Sequence, residues 1–194
     1  MTLFATDRFS ARIASEADVP ALQAFFEANP GYFVTVNGVP PRPDEARQEF
    51  DDEPPLHMPY ANRSLLLIDA PDGTLLGIAH VLSDFLAAGV WHIGLFIVAT
   101  PLHGSGIASD IYGALEAWMV ASGAQWCRLG AVVGNARAER FWLRCGYVEL
   151  RQRRGVQMAA RVNDVRVMVK PLAGSPFDDY LARVPRDHPD STLT

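Results

Sequence analysis

The 194-residue chain predicts a single α/β domain: a mixed, mostly antiparallel twisted sheet of about seven strands with helices on both faces. Three observations carry this. Trp91 to Gly123 reads as an apolar strand, a glycine-bearing turn and an amphipathic helix, and a second apolar strand, Trp126 to Val132, follows. A helix joining two strands makes them parallel neighbours. The remaining strand patterns are short and include a hairpin signal at Asp72-Gly73, which favours antiparallel pairing. Finally, 49% of the residues are hydrophobic, enough at this length to bury one core.

The elements follow in order. Phe9 to Ala14 alternates and predicts a first strand. Ser15 to Asp18 can form a capping box for a helix whose apolar face is Val19, Leu22, Phe25 and Phe26, and Asn29-Pro30-Gly31 stops it. Tyr32 to Tyr60 is proline-rich, with a short helix expected from Asp44 to Phe50. Ser64 to Ile68 and Thr74 to Leu82 predict two strands, and Ser83 to Val90 a loop into the central strand, Trp91 to Val98. Pro101 ends that strand, and the turn His103-Gly104-Ser105-Gly106 leads into a helix with Ile107, Ile111, Leu115, Trp118 and Met119 at helical spacing. After Trp126 to Val132, Gly134-Asn135 caps a helix from Ala136 to Cys145, which Gly146 stops. Val148 to Arg153 and Val165 to Lys170 close the set as antiparallel strands. One domain is expected over 1–173, followed by a loosely structured tail, 174–194, with a short helix around Asp178 to Arg183.

A net charge of -5 without a basic stripe argues against nucleic acid as a partner. No apolar run approaches the ~18 residues of a membrane span, and no cationic-then-apolar leader is read. Two cysteines, Cys127 and Cys145, cannot make a disulfide framework and suit a reducing, cytoplasmic setting.

The chemistry lies in the glycine turn. Gly104 and Gly106 let backbone approach a ligand, and successive N–H groups at a helix start suit a phosphate anion; a plain turn with glycines for geometry is the other reading. A Walker loop is excluded because no lysine follows Gly106. A nucleophile elbow is excluded because Ser105 sits between adjacent glycines. A dinucleotide fingerprint lacks its acidic residue, since the next strand ends Ala131-Val132-Val133.

Val98, Gly104, Gly106 and Ala108 match the pattern Val, then Gly-x-Gly-x-Gly/Ala, that opens the acyl-CoA site of the GNAT superfamily of N-acyltransferases, with His103 where that family carries Arg or Gln. Asn135-x-x-Ala138-x-x-Phe141-Trp142-x-x-x-Gly146-Tyr147 resembles the family's second signature. The likeness spans Phe9 to Leu172 in element order and Trp91 to Tyr147 in motif.

The resemblance implies an acetyltransferase that moves an acetyl group from acetyl-CoA to the primary amine of a small or amino-acid-like acceptor, with no metal and with a homodimer as the family-level expectation. The pyrophosphate would sit on the N–H groups of His103, Gly104, Ser105, Gly106, Ile107 and Ala108. Hydroxyls of Ser105 and Ser109 would lie beside it, and Arg137 and Arg140 are read either as partners of the adenosine phosphate or as surface charges. The pantetheine arm would pair along Phe96, Ile97 and Val98 and meet Asn135, Ala138 and Phe141. A backbone N–H near Phe96 would face the thioester carbonyl. His92, taken by period two to share a strand face with Gly94, Phe96 and Val98, is the expected base, with His80 and Asp84 next. The family's tyrosine acid is replaced by Trp142, which can donate a hydrogen bond but not a proton, leaving water, Tyr112 or Tyr147 for that step. Tyr32 and Phe33 are read as acceptor-site residues or core, and Asp51, Asp52 and Glu53 as a lure for a cationic amine or a solvated loop. An acyl-CoA-binding sensor without turnover is the alternative function, and a dinucleotide-binding reductase a distant third.

Overall fold

The computed structural model describes residues 2–192. One sheet contains β1 (Thr2–Ala5), β2 (Ser10–Ile13), β3 (Asn62–Asp69), β4 (Leu75–Ser83), β5 (Val90–Val98), β6 (Trp126–Val132), β7 (Val148–Met158) and β8 (Arg161–Pro171). Their order is β1-β2-β3-β4-β5-β6-β8-β7. The β5–β6 pair is parallel, as the crossover requires, and the others are antiparallel. The helices are α1 (Val19–Ala28), α2 (Gly31–Asn37), α3 (Glu45–Asp51), α4 (Ile107–Ala121), α5 (Ala136–Arg144) and α6 (Phe177–Arg183).

Period two sorts the sheet into two cores. Ile93, Cys127 and Met168 join Ile111, Leu115 and Met119 of α4 and Trp142 of α5 on one face. Leu65, Leu67, Leu95 and Ile97 meet Leu22 and Phe26 of α1 and Phe33 of α2 on the other. Ile111, Leu115 and Met119 are at most 1% exposed, so truncating one to Ala would cost ~2–5 kcal/mol.

Four expectations are corrected. The sheet has eight strands instead of about seven, because Thr2–Ala5 forms an edge strand too short to show a period. Pro30 ends α1 but also begins α2 from its N-cap, a place where a missing N–H costs nothing. β7 and β8 run on past Arg153 and Val165, because a bulge between Arg153 and Val156 absorbs Gly155 at φ +66°. The tail is not loose over Phe177–Asp187. Tyr180 and Val184 of this segment pack on Val90, Trp126 and Val169, and Asp187 is buried against Arg128. Residues 193 and 194 of the tail lie outside the described residues. Among the described residues no helix is long and apolar enough to cross a membrane.

Two features of β5 prepare the site. Its pairing with β6 runs only from Val90 opposite Trp126 to Ile93 opposite Leu129. Beyond that, β5 stays with β4 and β6 with β8, so the sheet opens as a wedge. The opening coincides with a bulge: His80 lies opposite Leu95 and Val81 opposite Ile93, which leaves Gly94 without a partner.

Candidate active site

The wedge is a cavity of about 290 Å³ between Gly94–Phe96 of β5 and Gly130–Val132 of β6. Asn135, Ala138 and Trp142 of α5 close one side. The Ala99 N–H donates to the Leu76 carbonyl at 2.8 Å, across to β4. Strand alternation then turns the Ile97 amide toward β4 and the Phe96 and Val98 amides away from it, to the side from which β6 has parted. The Val98 carbonyl agrees with this direction, accepting from His103 Nε2 at 2.9 Å.

In the turn between β5 and α4, Gly104 and Gly106 hold φ of +84° and +90°. These left-handed conformations favour glycine and splay successive amides outward. Among the described residues the N–H groups of Gly104, Gly106 and Ala108 have no hydrogen-bond partner, and they sit at the start of the 15-residue α4. Free amides at a helix start suit an anion. The Ser105 hydroxyl is engaged within the loop, donating to the Leu102 carbonyl at 2.7 Å and accepting from the Ile107 N–H at 3.4 Å. The Ile107 side chain points into the core, and Ser109 is exposed on the first turn of α4. His103 Nδ1 accepts from Arg137 of α5. The guanidinium absent from the loop sequence is therefore brought to it from another helix.

Phe96 stacks on Phe141 with centroids 5.8 Å apart and leans on Trp142 at 5.6 Å. Trp142 is 7% exposed, and its indole N–H has no partner among the described residues. Asn135 caps α5, its Oδ1 accepting from the Ala138 N–H at 3.3 Å. Tyr112 and Tyr147, the alternatives to water for the acid step, do not line the wedge. Their hydroxyls bond each other at 3.1 Å, and Tyr112 also donates to Glu116, which Lys170 reaches. Burial raises both phenols above their ordinary range.

His92 does not share a face with Phe96 and Val98. The Gly94 bulge inserts one residue, so alternation reverses, and Phe96 and Val98 pack toward α4 and α5 while His92 lies on the face of α1, α2 and α6. There it stacks on Phe85 at 4.6 Å, and its Nδ1 lies 3.1 Å from the Arg128 carbonyl. Arg128 Nη1 also lies 3.4 Å from Nδ1, but the carbonyl contact is the shorter and a carbonyl can only accept, so Nδ1 is assigned the proton and Nε2 the lone pair. Burial, then the neighbouring Arg128 charge, hold the imidazole well below its usual pKa, so it is neutral near pH 7.

A second cavity, of about 300 Å³, adjoins the wedge and shares Tyr32, Met58, Phe85 and His92 with it. Its far wall holds Glu45, Glu49, Asp52 and His80. His80 Nδ1 pairs with Glu49 at 2.7 Å. Tyr32 lines both cavities, whereas Phe33 is 3% exposed and packs edge-on against Phe26, touching the second cavity alone. Asp84 is a loop residue whose carboxylate accepts from the Gly89 N–H at 2.7 Å. Asp51 pairs with Arg47 and Glu53 with Tyr60, so of the three acids Asp52 alone reaches the cavity. Glu49 and Arg128 escaped the sequence reading, since each has the pattern of an ordinary helix or strand position and gains meaning from a distant partner.

The acetyltransferase (GNAT) family pattern matches residues 21–147. No curated protein sequence matches. Among solved structures, an acetyltransferase from Thermus thermophilus is 16% identical with a TM-score of 0.67, covering 89% of this chain and 100% of that one. Spermidine N-acetyltransferase from Vibrio cholerae, in complex with CoA and spermine, is 14% identical with a TM-score of 0.65, covering 86% and 96%. A GCN5-related N-acetyltransferase from Kribbella flavida is 20% identical with a TM-score of 0.61, covering 86% and 99%. These likenesses concern the fold. The family match spans most of the chain, including the glycine turn, the wedge strands and the Asn135 helix, and the chain belongs to the acetyltransferase (GNAT) family of acyltransferase enzymes.

Proposed function

We propose that this enzyme transfers an acetyl group from acetyl-CoA to a primary amine of a small or amino-acid-like acceptor, by direct attack in a ternary complex. The observation that carries the reading is the open sheet edge at Phe96, with the amide nest at Gly104, Gly106 and Ala108 in the turn after the same strand and the neutral imidazole of His92 on the same cavity. Bound acetyl-CoA supplies the activated acyl group.

Residue roles follow from direction. The nest holds the pyrophosphate, with Arg137 beside it on His103. The Phe96 and Val98 amides face the pantetheine arm as an unfilled sheet edge. The Phe96 N–H also faces the charge that develops on the thioester oxygen, a contact worth ~2.7–4 kcal/mol in comparable sites. His92 Nε2 takes the ammonium proton. Trp142, Phe141 and Ala138 wall the arm, and water protonates the departing thiolate, whose ordinary pKa of about 8.5 makes it a tolerable leaving group. Asn135 lines the wedge while its Oδ1 caps α5. The spermidine N-acetyltransferase neighbour, bound to CoA and spermine, supports an amine acceptor. Two unpaired cysteines suit a reducing, cytoplasmic setting.

Thiol release from acetyl-CoA across an amine panel tests the reading. Tight CoA binding without acylation of any amine would favour the sensor alternative that Trp142 keeps in view.

A further inference from the structure

The face of the sheet that carries His92 also gathers guanidiniums. Arg128 comes from β6, Arg151 and Arg153 from β7, and Arg186 from the turn after α6. Register sets this: Arg153 lies opposite Val165, Arg151 opposite Val167 and Arg128 opposite Val169, and alternate residues of β8 share a face. Asp187 is the carboxylate among them, and its oxygens are already taken. Arg128 Nε and Nη2 donate to it at 2.7 and 3.2 Å, and the Tyr180 hydroxyl at 2.5 Å. Arg151 Nη1 donates to the Arg186 carbonyl. Arg186 Nη2 is buried with no hydrogen-bond partner.

Arg128, Arg153 and Arg186 all line the wedge cavity. Burial, then mutual repulsion, lower the Arg153 and Arg186 guanidiniums from their usual range. At the other end, the adjoining cavity presents Glu45, Glu49 and Asp52. His92 stands between the two ends, because it lines both cavities. A purely cationic acceptor would meet carboxylates on one side and uncompensated guanidiniums on the other. An acceptor with an ammonium and an oxyanion would match both.

We infer that the acceptor carries an oxyanion, carboxylate or phosphate, beside its amine, and that Arg153 and Arg186 bind it. A guanidinium presents N–H donors in a planar fork that suits either anion. The inference rests on the acetyltransferase reading and narrows it, setting this enzyme apart from one that takes a polyamine.

The test compares four acceptors: an α-amino acid, its carboxamide, an aminoalkyl phosphate and spermidine. Thiol release is measured for the natural protein, Arg153→Gln, Arg186→Gln and Arg186→Lys, each checked for folding by circular dichroism. The anionic acceptors should exceed the carboxamide in kcat/KM by about tenfold to a hundredfold. That ratio should collapse in the Gln variants and recover in part in Arg186→Lys. The carboxylate and phosphate arms show which oxyanion is taken. Equal or better use of the carboxamide or spermidine, or a ratio the variants leave intact, overturns the inference. If no amine is acylated, the transferase reading fails separately, and calorimetric titration of the CoA-loaded protein decides the anion site. Binding of the amino acid that the carboxamide does not match and Arg186→Gln abolishes supports it; equal binding of acid and amide overturns it.

Discussion

His92 and Phe96 stand four positions apart on β5 and face opposite sides of the sheet. Regular alternation would put them on one face; the unpaired Gly94 between them separates them. The separation suits two tasks. The Phe96 amide lies in the wedge, beside the α5 aromatics, while the His92 imidazole lies on the side of α2 and the acidic cavity. One strand can thus address a thioester and an acceptor from different directions.

Replacing His92 by Ala should lower kcat by about a hundredfold to ten-thousandfold with little change in the KM for acetyl-CoA. By NMR, the His92 ring in the native protein should stay neutral through pH 6.5, because burial and Arg128 depress its pKa. The sign for stability follows. The unfolded imidazole, with its pKa of about 6.5, binds a proton that the native one refuses, so this contribution is full above that pH and falls away below it. A ring that titrates at its ordinary value would remove His92 as a buried neutral base.

Gly106→Ala should lower stability by ~1–2 kcal/mol, because φ of +90° places a Cβ against the following carbonyl. It should also raise the KM for acetyl-CoA severalfold by turning amides of the nest. A lower Tm with KM unchanged would show that these amides do not hold the pyrophosphate.

Asp187→Asn leaves Arg128, 7% exposed, without its counter-charge. The expected loss is ~3–5 kcal/mol in denaturant unfolding at pH 7. Although burial pushes the other way, the Arg128 guanidinium holds the Asp187 carboxyl below the ordinary carboxylate range. Its contribution is therefore present above the unfolded pKa of about 3.9 and is lost as pH falls through the lower folded value. Wild-type-like unfolding of Asp187→Asn would mean that the pair adds nothing to the fold.

Arg137→Ala and His103→Ala should each raise the KM for acetyl-CoA and weaken its dependence on salt. Because His103 holds Arg137, the double variant should do little more than either single one. Additive effects would show that the two side chains act apart.

Much of the fold was legible because it is local. The glycine turn, its helix and the strands on either side follow from periodicity and stop signals within a few residues. The glycine turn was legible for the same reason, although two glycines before a helix start allow a plain turn as well as an amide nest. Other features were hidden because their cause lies far along the chain. Gly94 is a bulge because β4 pairs past it. Glu49 faces His80 from 31 residues away. Asp187 is buried because it meets Arg128, 59 residues earlier.

By itself, then, the amino-acid order determined the family of the chain, its α/β layering and the glycine turn before α4, all from patterns spanning a turn or two. Tertiary structure alone decided which way His92 points, which arginines converge and that Tyr180, Val184 and Asp187 are packed against the sheet. Those depend on register between strands and on charges meeting across the core, and a one-residue slip in register reverses every face beyond it.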